Sequence, residues 1–327
     1  MQNMLPDRGI AAGHKSGVKN NSRSVTVPRP KPGHKAAPRP KATPRPKPAP
    51  RSKTAPRPKP GPLSETEFET GFETGFETGK DLKLFKNMEI IVARYNESLS
   101  WTLLPIFNKF KYTVYNKGDN ENFEKSFVTK IIPLPNVGRN DHTFLHHIVT
   151  NYDSLAHITV FLPGSTNIPY KMARAKKILI EIIKSRYTTA HFYGLKTDDV
   201  KQKFYNFALD NYRSTDIQNF QKNNETALNP CALRPFSKWY SHFFDNFRAT
   251  QYTYGGVFSA DRRDIQNCSL EKYNEIMETV STHSNPEAGH YIERCWGTMF
   301  HPLKYTKFID DSYYSRIITH MKMNLTL

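Results

Sequence analysis

The sequence lacks several features that would assign it to a common class. Its 327 residues contain three cysteines, Cys231, Cys268 and Cys295, too few and too scattered for a disulfide framework or a Cys-x-x-Cys metal site. No uncharged apolar run reaches about 18 residues, so we expect no membrane span. The first residues contain no apolar core of a secretion signal. These absences predict a cytoplasmic or nuclear protein of a reducing compartment, not a secreted one.

The common catalytic and cofactor motifs are also missing. There is no Gly-x-Gly-x-x-Gly, P-loop, Gly-x-Ser-x-Gly or zinc-finger pattern, which excludes the usual dinucleotide, NTPase and esterase classes. His142, His146 and His147 have helical spacing but no His-Glu-x-x-His pattern. We therefore predict no metal-ligating residues from spacing alone.

Acidic residues are almost absent from the first 64 positions. Residues 1–64 carry 15 Lys and Arg against the single acid Asp7, so they hold +14 of the total net charge of +17. They also contain 14 of the 23 prolines. This composition cannot bury enough apolar surface to offset chain entropy, and it predicts a disordered, basic, proline-rich tail. Such a tail can bind nucleic acid or another anionic surface without reading sequence.

Residues 65–85 have the opposite charge imbalance, an excess of acidic over basic residues. The tetrapeptide Phe-Glu-Thr-Gly occurs three times, and residues 65–79 carry five Glu and no base. A glycine at every fourth position would cost a helix about 1 kcal/mol each time. We interpret this segment as an acidic linker, which leaves residues 86–327 as a single α/β domain.

Strand and helix patterns alternate in that domain. Apolar runs at residues 88–93, 112–115 and 158–162 predict buried strands, and 252–259 predicts a strand broken by two glycines. Helices are expected at residues 98–110, 142–152, 172–182, 237–248, 270–280 and from Asn285 onward. The alternation predicts βαβ units and a mainly parallel sheet flanked by helices.

Polar residues follow the predicted strands directly. They occupy residues 94–97, 116–118 and 164–167. Ligands of parallel sheets bind beyond the carboxyl ends of the strands, so these clusters predict a binding site. The candidate ligand contacts among them are Arg94, Asn96, Glu97 and Lys117.

The helix that starts near Asn285 concentrates ionisable groups. Glu287, His290, Glu293 and Arg294 lie close together at helical spacing. A carboxylate tuned by a neighbouring His or Arg can act as a general base. An ion-pair lattice on a surface helix explains the same pattern, and both interpretations stay open.

Five segments resemble a family of uncharacterised proteins found in fungi, other eukaryotes, bacteria and some large DNA viruses. They are residues 90–101, 115–118, 134–155, 158–164 and 285–300. The family is a domain of unknown function, so this resemblance implies no particular activity.

The domain also resembles GT-A glycosyltransferases, the nucleotide-diphospho-sugar transferases. Residues 136–140, Asn-Val-Gly-Arg-Asn, are similar to an Asn-x-Gly-Arg-Asp region of polysaccharide-building transferases. Residues 254–265 are similar to their acceptor-side strand and turn, and residues 293–296 to their late Glu-Arg helix. The resemblance implies a GT-A-like fold and transfer of a sugar from a nucleotide-sugar to an acceptor.

The GT-A resemblance also implies roles for the candidate residues. It implies Asn96 and Glu97 at the nucleotide, Arg139 at phosphate, and Asp261 and His290 at the acceptor. Either Glu293 or Glu287 would take the acceptor proton. The remaining candidates for substrate binding are Arg94, Lys117, Asn136, Gly138 and Arg294.

The metal motif of such transferases is not found. The resemblance implies Mn²⁺ or Mg²⁺ held by an Asp-x-Asp motif after the third predicted strand, where this chain has Gly-Ser-Thr-Asn at residues 164–167. Arg94, Lys117 or Arg139 can neutralise phosphate charge instead. The cofactor is therefore left open.

A hypothesis of another class is a non-enzymatic viral or nuclear binding or scaffold protein whose basic tail engages nucleic acid. Deletion of residues 1–64 tests it. We expect the full chain to bind nucleic acid with an affinity that falls steeply with salt, and the shortened chain to lose that binding. Fluorescence anisotropy with a labelled oligonucleotide across a salt series measures both. Salt-insensitive binding that survives the deletion would contradict the hypothesis.

Overall fold

A computed structural model of the chain describes residues 87–211, 227–245 and 247–312. The predicted tail, residues 1–64, and the predicted linker, residues 65–85, lie outside the described residues. The described part is an α/β structure with a central sheet flanked by helices, as the sequence predicts. None of its helices is long and apolar enough to cross a membrane.

Within the described residues the sheet runs through the middle of the fold. The strands are β1 Met88–Arg94, β2 Tyr112–Asn116, β3 Val128–Pro133, β4 Ile158–Pro163, β5 Ala190–Lys196, β6 Gln251–Tyr252, β7 Phe258–Asp261 and β8 Thr306–Asp310. Five of them pair in the order β3-β2-β1-β4-β7, the first four parallel and β7 antiparallel to β4. A second sheet has the order β6-β5-β8, in which β8 is parallel and β6 antiparallel to β5.

Ser259 connects the two sheets. Its hydroxyl oxygen accepts a hydrogen bond from the His191 backbone N–H at 2.7 Å and donates to the His191 carbonyl at 2.8 Å. These bonds place β5 beside β7. The two sheets therefore lie side by side, with β1 in the middle of the five-stranded sheet.

Helices cover both faces of these sheets. They are α1 Arg139–Asn151, α2 Pro169–Lys184, α3 Val200–Lys203, α4 Phe236–Phe244, α5 Arg262–Ile265, α6 Leu270–Glu278 and α7 Glu287–Met299. Side chains of β1 alternate between the two faces, as they must in a strand. Ile91 and Ala93 pack into the core shared by α1, α4, α6 and α7, whereas Ile90 and Val92 pack with α2.

The expected helix at residues 98–110 was wrong. The chain forms two short 3-10 turns there, Ser100–Leu103 and Phe107–Lys109. Pro105 lies between them, and proline lacks the N–H that a continuous helix needs. Three strands of the described residues, β3, β5 and β8, were not predicted. The predicted strand at 252–259 is divided into β6 and β7.

Candidate functional site

A polar pocket lies at the carboxyl edge of the central sheet. Phe258, at the start of β7, pairs with Phe161 near the end of β4, so the glycines just before β7 lie beyond that end. Both α1 and α2 begin at the same edge, one on each face. The pocket is lined by Arg139, Asn140, Asp141, Tyr170, Lys171, Gly255, Gly289, His290 and Glu293. Its wall therefore combines residues that are distant in the sequence.

Glycines with left-handed backbone shape the pocket wall. Gly138 precedes α1 with φ +59, and a Cβ there would lie 2.4 Å from the Val280 carbonyl oxygen. Gly255 has φ +83, and a Cβ there would lie 3.0 Å from the Tyr170 ring. Only glycine tolerates both the left-handed backbone and the lack of space for a Cβ. These turns therefore fix where α1 begins and where Tyr170 faces the pocket. Gly138 is the N-cap residue of α1, and no side chain caps this helix.

Two carboxylates from different helices, those of Asp141 and Glu293, line this pocket. Asp141 on α1 is buried, and its Oδ1 accepts a hydrogen bond from Trp296 Nε1 at 2.9 Å. Glu293 on α7 keeps about a quarter of its side chain exposed, and its Oε1 accepts from the Gly255 backbone N–H at 2.7 Å. Burial and the charge of Glu293 together raise the pKa of Asp141 to about 7. At neutral pH the pair can therefore hold or release a proton.

Cationic side chains lie beside this pair. Arg139 Nη1 donates to Asn285 Oδ1 at 3.1 Å. Lys171 Nζ donates to Ser165 Oγ at 2.8 Å, in the 3-10 turn that follows β4. Arg139 and Lys171 therefore bring positive charge to the pocket from its two sides. This arrangement suits a ligand that carries both anionic and hydroxyl groups.

His290 and Arg294 complete the helix face beside Glu293. Burial, followed by the positive charges of Arg139 and Arg294, lowers the pKa of His290 to about 3, so its imidazole is neutral at pH 7. The Arg294 guanidinium lies 4.0 Å from the centre of the Phe207 ring and donates to the His290 carbonyl oxygen at 2.5 Å. Arg294 therefore packs behind the pocket and supports the helix.

The structure brings only part of the predicted site together. Glu293, His290 and Arg139 line the pocket, and Gly138 forms the turn at its edge. Lys117 lies beneath this turn, where its Nζ donates to the carbonyl oxygens of the turn.

Glu287 does not line the pocket. Its carboxylate is fully buried and accepts hydrogen bonds from the backbone N–H of Leu209 at 2.7 Å and of Cys231 at 2.8 Å. The Tyr291 hydroxyl donates to it at 2.7 Å, and Arg234 lies 3.4 Å away. The carboxylate thus ties α7 to the preceding segments.

Asp261 lies at the other end of the sheet. It pairs with Ile158, the first residue of β4, because β7 runs antiparallel to β4. Five residues of strand separate that position from the carboxyl end, which is about 16 Å. Its carboxylate bonds to Arg263 at 2.8 Å and lies 3.4 Å from His157.

The candidates after β1 satisfy the backbone of their own loop. Arg94 is 1% exposed, and its guanidinium donates to Asn116 Oδ1 at 2.5 Å and to the Glu97 carbonyl at 2.8 Å. Glu97 Oε2 accepts from the backbone N–H groups of Tyr95 at 2.7 Å and Asn96 at 3.1 Å. Asn136 is partly buried ahead of α1. None of these side chains lines the pocket.

Sequence reasoning did not assign several pocket residues to the site. They are Asn140, Asp141, Tyr170, Lys171, Gly255 and Gly289. The Gly255-Gly256 pair was visible only as a break in a strand. Asp141 lies in the first turn of α1, where acidic residues are common. Nothing in the sequence therefore indicated its hydrogen bond with Trp296.

The described residues contain no group of three or more His, Cys, Asp or Glu side chains that could hold a metal ion. The rings of His142 and His146 stack with centres 6.1 Å apart. His147 bonds to Glu89 and to the Tyr115 hydroxyl, each at 3.0 Å. The three histidines therefore serve packing and local hydrogen bonding.

The fold and the pocket define an α/β protein with a polar pocket at the carboxyl edge of its sheet. More particularly, the chain belongs to the family described as "Protein of unknown function (DUF3431)", whose model matches residues 90–313. This match covers well over half of the chain and confirms the resemblance to an uncharacterised family. No curated protein and no solved structure matches the chain.

The raised pKa of Asp141 predicts a specific pH dependence of stability. The unfolded chain loses this proton near the ordinary pKa of 3.8, but the folded protein keeps it until about pH 7. The folded state binds more protons between these values, so its stability falls as pH rises from about 4 to 7, by up to about 4 kcal/mol. Asp141→Asn, which cannot ionise, should show a flatter profile in urea unfolding.

The exposed Asp153, just beyond the end of α1, provides the matched control. Asp153→Asn should keep the wild-type slope over this pH range. Equal slopes for Asp141→Asn and the wild type would show that Asp141 ionises normally.

Proposed function

We propose that this chain is a glycosyltransferase-like enzyme that binds a nucleotide-sugar at the carboxyl edge of the sheet and transfers the sugar to a hydroxyl of an acceptor. The observation that carries the proposal is the carboxylate pair of Asp141 and Glu293 beside the cations Arg139 and Lys171. Such a pocket offers charge stabilisation for a leaving phosphate and a proton acceptor for a hydroxyl.

The sheet topology supports this location for the ligand. The chain moves outward from β1 to β2 and β3 on one side and continues with β4 on the other. Crevices outside the carboxyl ends of strands at such a reversal are the usual ligand sites of open α/β sheets. The first strand is central and ends in the loop at residues 94–97, as the GT-A resemblance implies. In the proposal this loop, which includes Asn96 and Glu97, borders the nucleotide, and the Glu97 carboxylate holds the loop by accepting from the backbone N–H groups of Tyr95 and Asn96.

In the proposal two cationic side chains bind the diphosphate of the donor. Arg139 reaches the pocket from the start of α1, and Lys171 from the start of α2. When the bond between the sugar carbon and the diphosphate oxygen breaks, the leaving group gains negative charge. Two cations held in a partly buried pocket stabilise that charge more strongly than water does.

Glu293 is the base in this proposal. It lines the pocket and is partly exposed, whereas Glu287 is buried and accepts hydrogen bonds from the backbone. As the acceptor oxygen bonds to the sugar carbon, its proton passes to the Glu293 carboxylate. Asp141 shares the negative charge of the carboxylate pair with Glu293. The neutral His290 orients the acceptor by hydrogen bonding.

The residues at this edge do not fit the metal of the GT-A motif. The turn Gly164–Asn167 offers no carboxylate after β4, and the described residues hold no cluster of three metal-ligating side chains. The proposal therefore contains no step through Mn²⁺ or Mg²⁺. The positive charge comes from Arg139 and Lys171.

Calorimetry with a panel of UDP-, GDP- and dTDP-sugars, with and without Mn²⁺, tests donor binding. We expect one donor to bind, and Arg139→Met to weaken its affinity at least about tenfold, because a charged hydrogen bond is lost. Lys177→Met is the control for net charge, since Lys177 pairs with Glu181 at 3.1 Å on α2. If no member of the panel binds, the transferase proposal is wrong.

Glu293→Gln tests the proton acceptor. Turnover should fall about a hundredfold or more while donor binding and the unfolding midpoint stay near wild type. Glu287→Gln is the comparison on the same helix. It should lower stability by about 1–3 kcal/mol, because buried N–H groups lose their charged acceptor, and leave turnover per folded molecule unchanged. The reverse pattern would make Glu287 the base.

A further inference from the structure

We infer that Lys117 is a positioning residue, which holds the start of α1 so that Arg139 and Asp141 face the pocket. The inference rests on the proposed function, since it gives Lys117 a part in the same site. It replaces direct contact with substrate, the role that the sequence suggested for this lysine.

The geometry beneath α1 carries the inference. Lys117 Nζ donates to the carbonyl oxygens of Val137 and Arg139, each at 2.5 Å. Between these carbonyls lie two consecutive residues with left-handed backbone, Gly138 at φ +59 and Arg139 at φ +53. The backbone of a residue other than glycine, here Arg139, is strained in that conformation. The ammonium bridges the two ends of this turn and offsets its strain.

Lys117 is itself fixed by the sheet. It follows the last residue of β2, and its backbone N–H donates to the carbonyl of Arg94, the last residue of β1, at 2.8 Å. Lys117 is 9% exposed and lies outside the pocket lining. Two of the three ammonium donors point to backbone carbonyls. The side chain therefore connects the rigid carboxyl edge of the sheet to the turn that carries Arg139.

The charge of Lys117 also acts on its neighbours in α1. Burial lowers the pKa of Lys117 to about 7, and the Asp141 carboxylate opposes that shift. In return the ammonium lowers the pKa of Asp141, whereas burial and the charge of Glu293 raise it. It lowers the pKa of His142 and His146 as well, after burial. Lys117 thus affects both the position and the proton affinity of the pocket carboxylate.

A carboxyl-carbon NMR titration of Asp141 in the full chain tests this role without any ligand. Lys117→Met should raise the pKa of Asp141, because a nearby positive charge is lost. It should also shift the backbone amide signals of Gly138 and Arg139. Lys117→Arg should restore most of the wild-type pKa. Lys125→Met, which removes a surface charge paired with Glu121, should change neither.

Binding of inorganic pyrophosphate provides the second measurement. Its affinity should fall about tenfold in Lys117→Met and recover to within about threefold in Lys117→Arg. If the wild type binds neither pyrophosphate nor any sugar donor, the proposed function fails, and the Asp141 titration still decides the role of Lys117.

An unchanged Asp141 pKa together with unchanged Gly138 and Arg139 amide signals in Lys117→Met would overturn the inference. If this variant does not fold, the wild type supplies the answer. Scalar couplings across hydrogen bonds from Lys117 Nζ to the carbonyl carbons of Val137 and Arg139 should be detectable at low temperature. Their absence, with a freely rotating ammonium, would equally overturn it.

Discussion

The hydrogen bond from the Trp296 indole to the Asp141 carboxylate is the contact on which the pocket depends. It joins α7 to α1 at 2.9 Å. The indole is fully buried, and its ring centre lies 5.1 Å from that of Phe258 and 5.7 Å from that of Phe300, so it holds a fixed position. This packing buries Asp141, and burial raises the pKa of its carboxyl although the hydrogen bond from Trp296 itself lowers it. An acid at the start of a helix becomes part of a proton-holding pair.

The sheet determines what surrounds this pair. Helix α1 begins at the carboxyl edge on one face and α2 on the other, so Arg139 and Lys171 reach the same pocket from opposite sides. The antiparallel course of β7 brings Gly255 to that edge, where its N–H binds Glu293. Acidic and basic side chains from distant parts of the sequence therefore line the same pocket.

Sequence patterns predicted the two central strands of the five-stranded sheet, whose burial is nearly uniform. The central strands β1 and β4 are continuous apolar runs, because parallel strands are covered on both faces. The edge strand β3 escaped prediction, since several of its residues are exposed and polar. The candidate site was predicted in part for a similar reason. Helical spacing grouped His290 with Glu293, but it contains no information on what α7 packs against.

The sequence by itself determined the alternation of strands and helices, the polar residues at strand ends and the ionisable face of α7. Only the tertiary structure decided which of these groups meet. Glu287 and Glu293 share a helix, yet the first accepts hydrogen bonds from buried backbone and the second lines a pocket. Asp261 lies at the opposite edge of the sheet from the pocket, because β7 runs antiparallel to β4. Local periodicity fixes the face of an element, whereas chemical roles follow from the long-range contacts that this face makes.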